Sequence, residues 1–330
     1  MAITLPKGNM SLALGIYFLF ILSFFFSSSE FVCRVRGRAL STSPASGVRG
    51  RRLVRGAAFW SSSTFNVRSF GALADGETDD SQSVKFVGVN NTIVQGISSI
   101  NSKFFHMALV GCHNFRGTKI EIKAPEDSPN TDGIHVERSS RVYLSRSHIG
   151  TGDDCISIGQ GNSQITITSI HCGPGHGISV GSLGKYRNEE DVSGLVVRNC
   201  YMKGTTNGIR IKTWANSPGS SAATNMTFAN IVMNNVSNPI IIDQSYCPSS
   251  SCSSKAPSRV KLSDINFKNI RGTSSSEVAV NLECSRGIPC QNVYLEDVHL
   301  DLSSGNKSST SFCSNVRAKF IGTQIPPPCS

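Results

Sequence analysis

Apolar and polar residues alternate over short segments along most of the chain, and the alternation is clearest between residues 130 and 212. Four segments in this stretch align almost residue for residue, and each has an isoleucine two positions after its first, polar residue. They begin at Asp132, Asp154, His176 and Asn207. Their first isoleucines are 22, 22 and 31 residues apart. A short β-branched strand that recurs at such a period is typical of a solenoid whose coils stack strand on strand.

Side chains in these strands should face the core and the surface alternately. The isoleucines then point inward, and the outward positions are His135, Ser157, Ser179, Arg210 and Lys212. Because stacked parallel strands lie roughly 4.8 Å apart, the four polar residues that begin the segments should form one column. The sequence therefore predicts a surface strip with acids at one end, a histidine in the middle and two cations at the other end, which is the layout of an active site.

Further strands are predicted on both sides of the strip. From Asn91 onward eight β-rich starts recur, each followed by a second short apolar strand, and Asn238 begins another segment like the first four. No stretch has a clear amphipathic-helix period, so the helix content should be low. The predicted fold is an all-β parallel β-helix with a triangular coil.

Four short motifs in the strip carry a family resemblance. Asn130-Thr-Asp-Gly133, Gly152-Asp-Asp154, Gly175-His-Gly177 and Arg210-Ile-Lys212 resemble the four signature motifs of polygalacturonases, glycoside hydrolase family 28, in their usual order. The residues around the third motif resemble the plant branch. The resemblance runs from about Phe65 to the C-terminus. It implies a right-handed parallel β-helix of the pectin-lyase type and hydrolysis of homogalacturonan, the acidic polymer of pectin, in the cell wall.

The resemblance also assigns roles to the acids. Hydrolysis of a glycosidic bond requires one carboxylic acid that protonates the leaving oxygen and one carboxylate that activates water. By resemblance Asp153 is the acid, Asp132 and Asp154 position and deprotonate the water, and the reaction inverts the anomeric configuration. His176 would hold or relay the proton of the acid. Clustered carboxylates repel one another, so one of them should stay protonated near neutral pH.

The two cations and one tyrosine are assigned to the substrate. Arg210 and Lys212 suit the carboxylate of galacturonate, because a guanidinium fork and an ammonium both bind such groups well. Tyr246 lies where the family has a tyrosine that packs on the sugar. No metal or cofactor is required. Asn207 and Asn238, although in the same column, are interpreted as structural. Taken alone, either aspartate motif would favour a turn without catalytic function, His176 could be a loop histidine, and Arg210 with Lys212 could be solvated charges on a strand.

Composition divides the chain into three parts. Residues 1–29 contain a fifteen-residue apolar run that is short for a membrane span, so they are predicted to be a signal peptide rather than a signal anchor. Residues 30–60 are rich in Arg, Ser and Gly and are predicted to be a basic, disordered leader, either a pro-segment, a wall-binding tail or a solvated linker. Residues 61–330 form the catalytic β-helix. The net charge of +10 is concentrated at the N-terminus, since residues 1–60 hold +7 of it.

Eleven cysteines in a secreted chain predict disulfides, although spacing does not fix their connectivity. Cys155 and Cys172 are one coil apart and flank the strip. The other suggested pairs are Cys247 with Cys252, Cys284 with Cys290, and Cys313 with Cys329. Cys33, Cys112 and Cys200 are left over. Sequons at Asn90, Asn225, Asn235 and Asn306 agree with secretion.

One departure from the family lies near residue 82. The chain passes from Gln82 directly to Val84-Lys-Phe86, which resembles a later coil, so the capping helix and first coils of the family should be missing. The strand edge near Val84 would then be open to aggregation. Two alternatives stay open: a truncated, inactive pectin-binding or misfolded homologue, and a calcium-dependent pectate lyase, since clustered aspartates can bind Ca²⁺.

The expected partner is homogalacturonan, bound by a secreted monomer. Nucleic acid is not expected as a partner, and neither is a membrane after signal cleavage. Endo or exo action and tolerance of methyl-esterified pectin depend on loops at the ends of the cleft, and the sequence does not decide them.

Overall fold

The computed structural model describes residues 32–36, 63–66, 83–248, 256–304 and 308–329, the first two ranges as backbone only. These residues contain strands and no helix. The part described therefore holds no helix of the length and hydrophobicity needed to cross a membrane. The strands are β1 (Val32–Arg36), β2 (Ser63–Asn66), β3 (Val84–Val87), β4 (Asn90–Gln95), β5 (Ser98–Ile100), β6 (Met107–Val110), β7 (His113–Thr118), β8 (Glu121–Lys123), β9 (Ile134–Glu137), β10 (Ser140–Gly150), β11 (Ile156–Ile158), β12 (Ser163–Cys172), β13 (Ile178–Leu183), β14 (Val192–Arg198), β15 (Tyr201–Lys203), β16 (Asn207–Trp214), β17 (Ser221–Val236), β18 (Asn238–Tyr246), β19 (Val260–Ser274), β20 (Val278–Glu283), β21 (Cys290–Leu302), β22 (Thr310–Ser314) and β23 (Val316–Ile325).

The strands form two large sheets that run along a right-handed parallel β-helix, as predicted. The nine-stranded sheet has the order β22-β20-β18-β16-β13-β11-β9-β6-β3. The fourteen-stranded sheet follows β4-β7-β10-β12-β14-β17-β19-β21-β23, with β1 and β2 at one end and the short strands β5, β8 and β15 alongside. Among the described strands only the pairings of β1, with β2 and with β4, are antiparallel.

The nine-stranded sheet aligns the four repeated segments. Ile134 pairs with Ile156, Ile156 with Ile178, and Ile178 with Ile209, which confirms the predicted register. All four side chains are fully buried, and each contributes roughly 1.5–3 kcal/mol relative to an exposed position. Because the stack fixes the rungs, the polar residue two positions before each isoleucine takes the same place in every coil.

The fourteen-stranded sheet contains a column of residues in the left-handed backbone conformation, one in each successive strand. Positive φ angles near 50–70° recur at one aligned position of successive rungs, and the residue there is most often asparagine, which tolerates this conformation. Neighbouring amides can also bond along the column, as Asn114 Nδ2 does to Asn91 Oδ1 at 2.7 Å. The column consists of Asn91, Asn114, Arg141, Gln164, Gly194, Asn225, Asp264 and Asn292.

The N-terminal end of the solenoid corrects one prediction. Residues 30–60 were expected to lack structure, but Val32–Arg36 form β1, which pairs with β2 and, through Val35 and Arg36, with β4. The fourteen-stranded sheet is thus extended past β4. In the nine-stranded sheet β3, which begins at Val84, is the last strand among the described residues, and the predicted open edge there stays a prediction. The predicted signal peptide, residues 1–29, and residues 67–82, where the coils predicted to be missing would begin, lie outside the described residues.

Three disulfides join the cysteines as suggested: Cys155–Cys172, Cys284–Cys290 and Cys313–Cys329, with Cα–Cα distances of 5.9, 5.8 and 5.7 Å. Cys247 is also disulfide-bonded, but Cys252, its suggested partner, lies outside the described residues. Cys112 and Cys200 are free and buried. Burial raises the pKa of the Cys200 thiol to about 11, so it stays protonated.

Candidate active site

The predicted strip lies on the outer face of the nine-stranded sheet, where the turns before β11 and β13 bring acids and a histidine together. Side-chain oxygens of Asp153 and Asp154 and a ring nitrogen of His176 all lie within 4.8 Å of one another. Small residues let the turns approach so closely. A Cβ on Gly152 would lie 2.1 Å from the carbonyl oxygen of Ser128, so only glycine fits there.

Asp154 is the most enclosed acid of the strip, with its side chain 2% exposed. Ser179 Oγ donates a hydrogen bond to Asp154 Oδ1 at 2.6 Å, and Lys212 Nζ lies 2.8 Å from Asp154 Oδ2. Burial would lower the pKa of Lys212, but attraction to the Asp154 carboxylate outweighs burial and raises it above its ordinary value. Both oxygens of Asp154 are therefore occupied, and Lys212 is held charged.

Asp153 pairs with His176. The distance from Asp153 Oδ1 to His176 Nδ1 is 3.1 Å, and the backbone N–H of Asp154 donates to the same oxygen at 2.8 Å. Burial would raise the pKa of Asp153, but the hydrogen bond and charge of His176 bring it below its usual range. The same hydrogen bond raises the pKa of His176. These directions favour an ionised carboxylate beside a protonated imidazole.

Asp132 has the opposite electrostatic environment. It is 7% exposed, and burial together with repulsion from Asp154 and Asp153 raises its pKa to about 7. A hydrogen bond to Ser157 only partly offsets this rise. The carboxyl whose neighbours raise its pKa toward neutral is therefore Asp132, whereas the sequence argument had not said which of the clustered acids it would be.

The two predicted cations lie beside Tyr246. Arg210 Cζ is 5.0 Å and Lys212 Nζ is 5.6 Å from the centre of the Tyr246 ring. Arg210 also has a partner that sequence reasoning missed, since its NH2 atom lies 3.3 Å from Asp243 Oδ2. The strand register could have revealed it, because Asp243 is the β18 residue opposite Lys212.

Two more groups beside the cations were not predicted. The Trp214 ring packs edge-on against Tyr246 with 5.5 Å between ring centres, and Lys185 Nζ is 5.4 Å from the Trp214 ring. Asn207 and Asn238, interpreted as structural, bond each other at 3.3 Å, and Asn207 Nδ2 donates to the backbone oxygen of His176.

The far end of the strip carries the first outward histidine. His135 Nδ1 lies 2.8 Å from Ser157 Oγ, and its ring stacks on Phe105 at 4.9 Å. Through Ser157, which bonds Asp132, this histidine is connected to the acid group. His135 was placed on the outer face but was given no role from the sequence.

The acids are poorly suited to a cation. Ca²⁺ requires roughly six to eight oxygen ligands. Both oxygens of Asp154 already accept hydrogen bonds, one from Ser179 and one from Lys212. The ammonium of Lys212, 2.8 Å from Asp154 Oδ2, would also repel a metal ion bound to that carboxylate. Of the described residues, Asp153, Asp154 and His176 form the only group of three with metal-ligand geometry.

Comparison with known proteins places this geometry in a family. An exopolygalacturonase from Platanus acerifolia is 50% identical over 243 residues, which cover 74% of this chain and 64% of that protein. A polygalacturonase from Medicago sativa is 50% identical over 235 residues, covering 71% of this chain and 55% of that protein. The chain thus spans about two thirds or less of the length of these relatives.

Solved structures agree with the fold. The polygalacturonase from Erwinia carotovora ssp. carotovora is similar with a TM-score of 0.56 and 31% identity, over 69% of this chain and 57% of that chain. The endo-xylogalacturonan hydrolase from Aspergillus tubingensis has a TM-score of 0.66 at 24% identity, over 73% of this chain and 68% of that chain. Residues 35–322 match the family described as Glycosyl hydrolases family 28, and the chain belongs to that family.

Proposed function

We propose that this chain is a polygalacturonase that hydrolyses the α-1,4-galacturonosidic bonds of homogalacturonan by inverting acid–base catalysis. The observation that carries the proposal is the joining of Asp153 to His176 and of Asp154 to Lys212 across the three successive rungs of β11, β13 and β16, next to a guanidinium. Acids for bond cleavage and cations for a sugar carboxylate thus occur on one surface. The names of the similar plant proteins support the same activity.

Asp132 is the best candidate for the base. Oxygens of Asp153 and Asp154 lie within 4.8 Å of each other, closer than the roughly 6.5–9.5 Å that separates the two carboxyl groups of inverting enzymes. Both oxygens of Asp154 are also occupied. A pKa of about 7 suits Asp132 to accept a proton from water near neutral pH. Asp154 then helps to position that water.

Asp153 is the proposed acid, and His176 supplies its proton. Without substrate the pKa of Asp153 is lowered and that of His176 is raised, so the proton is held on the imidazole. The negative charge of a bound galacturonate would raise the pKa of a nearby carboxyl. Substrate binding therefore favours transfer of the proton to Asp153, which can then protonate the leaving oxygen.

Arg210, Lys212 and Tyr246 are proposed to bind the sugar next to the cleaved bond. The Arg210 side chain is 18% exposed, and its guanidinium has both Asp243 and the Tyr246 ring as neighbours. Both contacts restrict its rotamers, so a carboxylate meets an arginine that is already oriented. The Tyr246 ring offers an apolar surface to the CH face of the sugar.

We infer further that the chain is secreted as a monomeric glycoprotein to the cell wall. The sequon residues Asn90, Asn225 and Asn235 are exposed, as acceptors must be, while Asn306 lies outside the described residues. The similar enzyme from Stereum purpureum, an endopolygalacturonase complexed with two galacturonates, shares the fold at a TM-score of 0.50. Homogalacturonan is accordingly the proposed partner.

The test is release of reducing ends from polygalacturonic acid by the purified chain with EDTA present. We expect activity in the parent chain and its loss in Asp153→Asn. The matched control is Asp301→Asn, because Asp301 also pairs with a histidine, His299, at 3.1 Å but on an exposed surface. It should keep full activity.

Three other outcomes would contradict the proposal in different ways. Loss of activity with EDTA, or unsaturated uronide products, would favour a calcium-dependent lyase. An inactive parent chain that is folded and binds oligogalacturonate would favour a pectin-binding homologue without turnover. Activity retained in Asp153→Asn would remove Asp153 from its role as the acid.

A further inference from the structure

We propose that Lys185, Tyr186 and Trp214 form a second galacturonate subsite, next to the one built by Arg210 and Tyr246. This subsite deepens the proposed function and rests on it. It would bind the carboxylate of a neighbouring sugar unit with the Lys185 ammonium and the apolar face of that unit with the aromatic rings.

The three side chains form one contiguous surface. Lys185 Nζ lies 5.4 Å from the centre of the Trp214 ring and 5.5 Å from that of Tyr186. Lys185 and Tyr186 are exposed, with 61% of the Tyr186 surface accessible, and Trp214 is half-buried. An ammonium ion beside one exposed and one half-buried aromatic ring combines the two features that an acidic sugar requires, a cation and an apolar platform.

This surface is continuous with the first subsite. Trp214 packs against Tyr246 with ring centres 5.5 Å apart, and Tyr246 in turn contacts Arg210 and Lys212. Cations and rings therefore alternate from the catalytic acids outward to Lys185. A polymer that carries one carboxylate per sugar matches such a repeat better than a single small acid does.

The segment that carries Lys185 is held in place by its own contacts. The Glu189 carboxylate accepts hydrogen bonds from the backbone N–H groups of Gly184 at 2.6 Å and Tyr186 at 2.8 Å. Gly184 has φ of +82°, and a Cβ there would lie 2.8 Å from Ser217 Oγ. The position of Lys185 is thus set by the protein before any sugar binds, which lowers the entropy cost of binding.

A lysine over a tyrosine is not by itself a sugar site. A second lysine–tyrosine contact elsewhere in the molecule provides a comparison. Lys319 Nζ lies 5.5 Å from the Tyr294 ring on the fourteen-stranded sheet. The contact is the same, but the residues belong to the other sheet rather than to the strip. Lys319→Met is therefore the matched control for Lys185→Met.

The experiment measures binding of monogalacturonate and trigalacturonate by calorimetry to the full chain carrying Asp153→Asn, which prevents hydrolysis. Adding Lys185→Met should weaken trigalacturonate binding roughly fivefold, the size expected for one partly screened charge pair. Monogalacturonate, which the first subsite alone can hold, should bind unchanged. Lys185→Arg should restore the affinity, and Lys319→Met should have no effect.

Failure of the subsite and failure of the proposed function give different results. Equal trigalacturonate affinity with and without Lys185→Met, in protein with an unchanged melting temperature, overturns the subsite and leaves the polygalacturonase proposal intact. An inactive parent chain whose trigalacturonate binding still depends on Lys185 overturns the hydrolase proposal and supports the subsite. No binding of either ligand to any variant overturns both.

Discussion

Replacing Asp132 by asparagine should make the protein more stable at neutral pH while abolishing activity. Asp132 has a folded-state pKa of about 7 against an ordinary value of 3.8. Folding therefore favours its neutral form, and the ionised form costs free energy. A difference of about three pH units, at about 1.4 kcal/mol each, corresponds to about 4 kcal/mol. Asparagine is neutral, has nearly the same shape and can keep the hydrogen bond to Ser157.

The pH dependence gives the sign of this effect. Below pH 3.8 the Asp132 carboxyl is protonated in both the folded and the unfolded chain, so the two proteins should be equally stable. Between 3.8 and about 7 only the unfolded chain ionises, and the parent loses stability as the pH rises. Above about 7 the loss is complete, and Asp132→Asn should be more stable by up to about 4 kcal/mol.

Urea unfolding followed by tryptophan fluorescence, at about pH 4 and about pH 8, would measure this difference. Asp264→Asn is the control, because Asp264 is an exposed carboxyl whose pKa is lowered by hydrogen bonds from Asn292 and Ser263. Asparagine also tolerates its φ of +58°. The control should gain no stability at high pH. A stability change of Asp132→Asn that is equal at both pH values would refute the reasoning.

Two further predictions concern the supports of the strip. Lys212→Met should lower the free energy of unfolding by about 3–5 kcal/mol and abolish activity, because it leaves the buried Asp154 carboxylate without its partner; urea midpoints and reducing-end assays would measure both. The double variant Cys155→Ala, Cys172→Ala should cost about 3 kcal/mol, as expected for a disulfide that closes a loop of 17 residues, and its urea midpoint should fall accordingly.

Each of these two predictions has a control within the chain. Lys268 pairs with Glu296 at 2.7 Å, but both side chains are more than a third exposed. Because exposed ion pairs contribute little to stability, Lys268→Met should leave the urea midpoint unchanged. Cys284 and Cys290 are separated by only 6 residues, so their removal should cost about 2 kcal/mol, less than the longer loop. An unchanged midpoint for Lys212→Met would refute this reasoning, because it would mean that the ion pair with Asp154 contributes nothing to stability.

The sequence was sufficient for the column of acids and cations because strand period and repeat length determine both register and face. The same rule would have placed Asp243 opposite Lys212 and therefore close to Arg210, with which it forms an ion pair. The sequence could not predict which of these acids has the raised pKa. Whether Asp132 or Asp153 has the raised pKa depends on exposure, 7% against 23% at the side chain, and on the contact with His176.

Contacts made by segments outside the repeats could not be predicted from the sequence either. Lys185 lies in a loop without a repeat, and only the folded chain brings it to Trp214. The pairing of β1 with β4 links residues about 60 positions apart with no shared pattern, by the register of Val35 with Val94. Long-range pairs of this kind carry no local signal from propensity or periodicity.

The unequal coil lengths show where this scaffold can change. Ile158 and Ser163 are separated by 5 residues, while their aligned partners Val180 and Ser193 are separated by 13. Almost all of the extra length of this coil therefore lies in the loop that carries Lys185, and the rungs on both sides keep their register. Since loop closure entropy grows slowly with length, this loop can be lengthened, shortened or exchanged at small cost. Evolution or an engineer can thus alter the proposed second subsite without moving the acids of the strip.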